Sequence, residues 1–511
     1  MIKHLLKNVF IISVFAIVTR ALGFLFRVYL ANTIGSVSLG IYQIGFSVFI
    51  VLVAIINSGL PLVVSKLTAK YRLEKNLKAE HNAVSTSIIL GLLFSTLMFA
   101  LLLLLKPMFI VLLSGERAYY VLLSLAPSLF AISLFGAFKG SLWGQEKHFD
   151  LSLIDLIEEI IKMAFTVLFI ELGLNLMSGE LSASLSVTIS CFVSSLLTMR
   201  YYFKYSGRLT KPQKSSYSAI LKTSLPITGM RTASSLIQPI IAILIPLRLI
   251  ASGFTKEQAL SQLGITLGMT FPLLFLPLTI VGALSVTLIP SITSLLQKKQ
   301  TTELKSQINS SLQFTLFIAF LFIPAFIGLG IPIGEFLFKN TTSGVYLQQA
   351  AFLMLPIALA NITASVLNAL NLEVASLKNY ILGSALLLLS LWFLPQYIGV
   401  RALIFGMAIC MSYVSILNLK MIEKATNKRY KLFNTLLLMA VFVLPSSLLA
   451  KFSYAPLSFL FPRFLALIFS AGLGTFSFLI LCIIFNLIRI DFWRSKFKNM
   501  LLTKKQKTRL A

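Results

Sequence analysis

A chain of 511 residues that is 57% hydrophobic and only 12% charged, with a mean hydropathy of +0.91, cannot cover its apolar surface with polar groups, which excludes a soluble globular protein. The composition reads as an all-α polytopic membrane protein. The net charge of +28 would point to nucleic acid in a soluble protein; here the basic residues gather in short loops and a C-terminal stretch, where they set topology and meet anionic membrane lipids, and no nucleic-acid partner is expected.

In chain order, MIKHLLK followed by an apolar run imitates a signal peptide. The run is too long for that and has no good small-x-small cleavage site, so it reads as the first span. From Val9 to Ala31 it covers about 34 Å at about 1.5 Å per residue, enough for a hydrocarbon core of about 30 Å. Arg20 falls near its middle within TRALGFLFR, and Arg27 follows two turns later on the same face as Ser13, Ala16 and Gly23. One arginine at a helix centre costs about 2.5–3.5 kcal/mol, and lipid offers nothing in return. The stripe therefore faces protein, water or an anion. Snorkelling or structural pairing is one reading, and a cationic cavity is the other.

Hydropathy places fourteen spans near 9–31, 39–64, 82–105, 118–138, 151–174, 181–203, 218–249, 265–289, 310–331, 346–370, 379–395, 400–421, 432–450 and 464–488. Asn57 in the second span is a cavity-lining candidate. The fifth span carries Asp155, Glu158, Glu159 and Lys162. Glu158 and Lys162 have the i, i+4 spacing of a helix ion pair, and carboxylates suit a helix N-terminus, so a structural role suffices. Alternatively Glu159 and Lys162 reach the cavity, as counter-ion or coupling site. The seventh span carries Ser224, Thr228, Arg231, Ser235 and Gln238 on one face, a second cationic stripe, with Pro226 and Pro239 predicting a kink. Asn361, Ser365 and Asn368 form a further polar stripe in the tenth span. Hydroxyl-rich faces alone are often helix packing; the arginines in both first helices depart from that.

Counting Lys and Arg on alternate sides puts 32 of the 44 on the side of the N-terminus and eight on the other, with Arg20, Arg27, Lys162 and Arg231 inside the membrane. Both termini are expected in the cytoplasm. Pro61 and Pro127 are 66 residues apart, as are Pro290 and Pro356, and the two pairs share an offset of 229. With the matching polar stripes this predicts parallel six-helix lobes over 1–205 and 218–421, a linker over Lys204–Ser216, two added helices over 432–488 and a basic tail over 489–511. Cys191, Cys410 and Cys482 lie far apart in apolar segments and read as core residues. His4, His81 and His148 have no metal-ligand spacing, and no phosphate loop or nucleophile triad occurs. No catalytic residue, metal or cofactor is expected, and the chain is not read as an enzyme.

These residues resemble a known superfamily, the multidrug/oligosaccharidyl-lipid/polysaccharide (MOP) flippases. TRALGFLFR is similar to the first-helix signature of its MurJ-type lipid II flippases. GIYQIGFSVFIVLVAIINSGLPLVVSKL, DLIEEIIK and FPLLFLPLTIVGALSVTLIPSI are more similar to the polysaccharide-transporter branch around stage V sporulation protein B. The resemblance covers essentially the whole chain. It implies a V-shaped, two-lobed monomer in a bacterial cytoplasmic membrane that alternates access. The implied cargo is an anionic, polyprenyl-diphosphate-linked oligosaccharide such as lipid II. Arg20 and Arg27 occupy positions that meet the diphosphate in that family, and the two added helices match those that form a tail groove. The family's arginine in the eighth span is replaced by Gly268–Met269–Thr270, with Arg231 as a candidate substitute. A multidrug cation antiporter of the same superfamily, or a non-transporting scaffold for envelope or spore assembly, are the alternatives; a cation exporter would want cavity carboxylates where the first and seventh spans offer arginines.

Overall fold

The structure, a computed structural model, describes residues 2–171, 178–205, 207–430, 432–485 and 487, with side chains from residue 15 onward apart from those of 214 and 215. The expected tail over 489–511 and the Ser13 side chain lie outside the described residues. The described chain is helical, without strands: α1 (Ile2–Asn57), α2 (Leu60–Leu73), α3 (Leu77–Leu104), α4 (Lys106–Leu112), α5 (Glu116–Leu125), α6 (Ser128–Gly144), α7 (His148–Glu171), α8 (Gly179–Lys204), α9 (Lys214–Ser235), α10 (Ile237–Ala251), α11 (Lys256–Leu263), a π-helical segment (Gly264–Thr270) and α12 (Phe271–Phe275). There follow α13 (Leu278–Gln297), α14 (Thr301–Phe338), α15 (Thr341–Ala350), α16 (Met354–Ala369), α17 (Glu373–Phe393), α18 (Pro395–Ile398), α19 (Arg401–Thr426), α20 (Phe433–Leu460) and α21 (Arg463–Ile484).

Among the described residues, twelve helical stretches are long and apolar enough to cross a membrane. The expected fourteen differ from these at two places. Phe15–Leu73, 59 residues, holds the first two expected spans in one stretch. It would run about 88 Å if straight, but Gly35 turns it with φ 76, a left-handed conformation suited to glycine, and the helix breaks again at Ser58–Gly59, where Pro61 enters the first turn of α2. The expected fifth span, α7, is not among the twelve because its middle is too charged. The expected eighth span is also interrupted. The widened turn over Gly264–Thr270 comes just before Pro272, which has no N–H to offer the Gly268 carbonyl, and a second break falls at Leu276–Pro277.

Two compact units divide the chain. One comprises Met1–Pro272 and Leu387–Leu403. It holds its helices on two buried clusters, Val64, Val84, Phe138 and Tyr202, and Leu60, Val63, Ala83, Leu90 and Ile220. Within it α6 presses on α2, with Gly140 against the Pro61 and Val64 positions. The expected linker lies along α3: Asn82 donates to the Lys211 carbonyl (2.8 Å) and accepts from the Ser216 hydroxyl (2.7 Å), and Ser85 accepts from the Thr210 amide (3.0 Å). This unit takes in 218–272, which the repeat reading assigns to the second lobe. The other unit comprises Leu273–Leu386 and Ile404–Ala511, where α14, α20 and α21 pack on Leu329, Ala450 and Leu467. Its buried Asn379 donates to Asn418 (2.9 Å), which donates to Thr363 (3.3 Å). Cys191, Cys410 and Cys482 are buried and unpaired.

Candidate functional site

The α1 stripe is half embedded and half open. Phe26 is buried, whereas Arg20 and Arg27 are exposed, and among the described residues neither guanidinium has an ion pair or hydrogen bond. Gly23, three residues from Arg20 and four from Arg27, lies on their face. Helix α7 packs along this part of α1, and a Cβ on Gly23 would sit 3.1 Å from Glu159 Oε1. The carboxylate thus lies close against the bare backbone of Gly23. Glu159 Oε2 accepts from Lys162 Nζ at 2.6 Å, and that ammonium stands 4.9 Å from the centre of the Phe26 ring. Glu159 Oε1 is buried with no hydrogen-bond partner.

Of the sequence candidates, Glu159 and Lys162 of α7 meet α1 at Gly23 and Phe26, within the part of that helix that carries the exposed Arg20 and Arg27. Lys162 bonds Glu159, at i, i+3, in place of Glu158 at the i, i+4 spacing expected from the sequence; the Glu159 carboxylate lies at Gly23 of α1. Glu158 instead faces α8, with the Cys191 thiol 3.9 Å from its Oε1. Asp155 pairs with Lys139 of α6 at 2.9 Å.

The seventh-span stripe is split. Ser224 is buried, and it and Thr228 close on Gly59, so that half is helix packing. Arg231 is exposed and, among the described residues, without an ion pair or hydrogen bond from its side chain. Gln238 is also exposed but belongs to α10, because the helix breaks at Leu236. Pro239 explains the break: it has no N–H for the Ser235 carbonyl, and its ring crowds that oxygen. Asn57 sets Oδ1 against Gly136 of α6, buried and without a hydrogen bond. In the other unit Asn361 and Asn368 are exposed on α16, with Ser365 between them donating to the Asn361 carbonyl (3.0 Å).

Two features had no counterpart in the sequence argument. The first is the amide cluster of Asn379 and Asn418, for which two asparagines in apolar spans were the available signal. The second is an apolar cavity of about 400 Å³ in the second unit, lined by Leu312 of α14, Leu359 and Thr363 of α16, Ser415 and Leu419 of α19 and Phe433 of α20. Its walls come from four helices, so no single stretch announces it.

These features define a class: a many-helix membrane protein in which acidic and basic side chains of one helix pack against a second, arginine-bearing one. Residues 5–296 match the family described as polysaccharide biosynthesis protein. Stage V sporulation protein B of Bacillus subtilis (strain 168) is 24% identical over 400 residues, 74% of this chain and 75% of that protein. Lipid II flippase MurJ of the same organism is 22% identical over 418 residues, 75% of this chain and 76% of its own. A solved structure titled lipid II flippase MurJ, inward closed conformation, superposes with a TM-score of 0.68 at 18% identity, covering 93% of this chain and 98% of that one. The chain belongs to the polysaccharide biosynthesis protein family.

Proposed function

We propose that this protein is an alternating-access flippase that carries a polyprenyl-diphosphate-linked oligosaccharide across the bacterial cytoplasmic membrane, both of its termini facing the cytoplasm. The observation that carries the reading is the pair of exposed guanidiniums, Arg20 and Arg27, on an otherwise apolar helix. A diphosphate satisfies them as lipid cannot, because planar guanidiniums bind phosphate oxygens bidentately. Arg231 is the third cation of the site, with Gln238 and Lys162 as further polar groups and Glu159 as its carboxylate; Asn57, packed on Gly136, and Glu158, turned to α8, stand outside it. The apolar cavity beside α20 suits a prenyl tail, since a stretch of hydrocarbon gains about 25 cal/mol for each Å² it hides from water. Two parallel six-helix repeats, 1–205 and 218–421, supply the alternating motion, and the chain works as a monomer.

The relatives support this reading, one being a lipid II flippase by name. The cation-antiporter alternative gains nothing from exposed arginines that would repel its cargo. Native mass spectrometry of the purified protein tests the proposal: co-purifying polyprenyl-linked diphosphates are expected from the unmodified chain and lost from Arg20→Ala. A spectrum with only phospholipids, under conditions that retain them, contradicts it.

A further inference from the structure

The arginine stripe contains an anion of its own. Along α1, Arg20, Gly23 and Arg27 follow one another on one face at about 4.5 and 6 Å of axial rise. Glu159 enters that face at Gly23, between the roots of the two arginines, where a Cβ would stand a tight 3.1 Å from its Oε1. The carboxylate is held from one side alone: Lys162 takes Oε2 at 2.6 Å, while Oε1 is buried and unpartnered. A bare carboxylate oxygen in a buried place costs desolvation that a hydrogen bond normally offsets. Both guanidiniums are long enough to fold back on it, yet among the described residues neither does.

We infer that Glu159, seated by Gly23 and tethered by Lys162, is a resident counter-ion of the stripe that competes with the cargo's diphosphate for Arg20 and Arg27 and so speeds its release. This rests on the diphosphate reading above. A site of two or three arginines alone would hold a diphosphate too well to turn over; a carboxylate placed among them offers the guanidiniums a second partner when the cargo leaves. Lys162 keeps that carboxylate from neutralising the stripe permanently. Gly23 is then a position that sets affinity without touching cargo.

The test is binding of undecaprenyl diphosphate to the purified full-length protein, together with its flipping rate in proteoliposomes, for the unmodified chain, Glu159→Gln and Lys162→Met, each confirmed as folded by its melting temperature. A charge removed at about 8 Å and an effective ε of about 20 changes affinity by about tenfold or more. Glu159→Gln should bind about tenfold tighter and flip more slowly, with KM and kcat both reduced. Lys162→Met should bind weaker by a similar factor. A structural role for the pair would move both variants in the same direction, and that result, or two unchanged affinities, overturns the inference. Should the unmodified protein bind no undecaprenyl diphosphate, the diphosphate reading itself falls and this inference with it; binding by the unmodified chain with the variants indifferent removes the counter-ion alone.

Discussion

The hydroxyls of Ser36 and Ser261 meet at 2.7 Å across 225 residues of chain. Around them α1 and α11 touch backbone to backbone: Gly40 lies on the Leu260 carbonyl, Gly264 on the Ser36 carbonyl, and Gly268 on the Leu39 side chain. Small residues at i and i+4 on each side, Ser36 with Gly40 and Gly264 with Gly268, are what allow helices in a membrane to come so close. On the orientation proposed above, this seam lies toward the outer face.

With the two hydroxyls in contact, Ser36→Cys with Ser261→Cys should form a disulfide on oxidation, and this tests whether the seam parts during the transport cycle. Transport should stop when the bond forms and return with reductant, read by gel shift and by flipping in the same vesicles. A cross-linked protein that transports at full rate would make the seam a fixed contact.

Loss of either arginine should spare the fold. Arg20→Ala and Arg27→Ala remove no ion pair or hydrogen bond among the described residues, so abundance and melting temperature should stay near those of the unmodified protein. Affinity for a lipid-linked diphosphate should drop by about 10- to 100-fold, the worth of one hydrogen bond to a charged group at about 1.5–3 kcal/mol. Arg27→Lys should recover only part of it, because an ammonium lacks the planar fork. Disappearance of both alanine variants from the membrane would show the arginines to be structural.

Orientation is accessible to an impermeant thiol reagent. The natural cysteines are buried, so background labelling should be low. Cysteines at the exposed positions Glu257 and Lys339 should react in intact cells, and those at the exposed Asn76 and Lys299 only after lysis. The reverse pattern would invert the topology.

The cavity beside α20 should discriminate by chain length. Leu419→Trp places a ring in its wall and should weaken binding of an undecaprenyl carrier more than of a short farnesyl one, measured side by side. Equal loss for both would remove the tail from this cavity.

Hydropathy and charge made the spans legible, because twenty apolar residues in a row have few other uses, and Arg20 and Arg27 stood out for the same reason. Helix arithmetic chose Glu158 for Lys162 since it sees one helix at a time; the partner is Glu159, whose carboxylate lies at Gly23 of another helix. The stripe from Ser224 to Gln238 carries the interruption that its prolines predict: Pro239 removes a rung of the ladder at Ser235, and Leu236, still with helical dihedrals, separates Gln238 from α9. Asn57 looked like a lining residue, and its carbonyl oxygen is packed on Gly136. The Ser36–Ser261 seam has a local trace only in the glycine spacing of GITLG, which does not name its partner.

The most direct measurement is competition at the stripe, with purified protein in vesicles offered an undecaprenyl-diphosphate sugar and ethidium together. Three guanidiniums in low dielectric attract the diphosphate and repel the monovalent cation by several kcal/mol at an effective ε of about 20. The unmodified protein should flip the lipid-linked sugar saturably, be inhibited by free diphosphate and transport no ethidium, and Arg20→Glu should lose lipid binding with the fold intact. Saturable ethidium efflux by the unmodified protein, undisturbed by excess lipid-linked sugar, would contradict it.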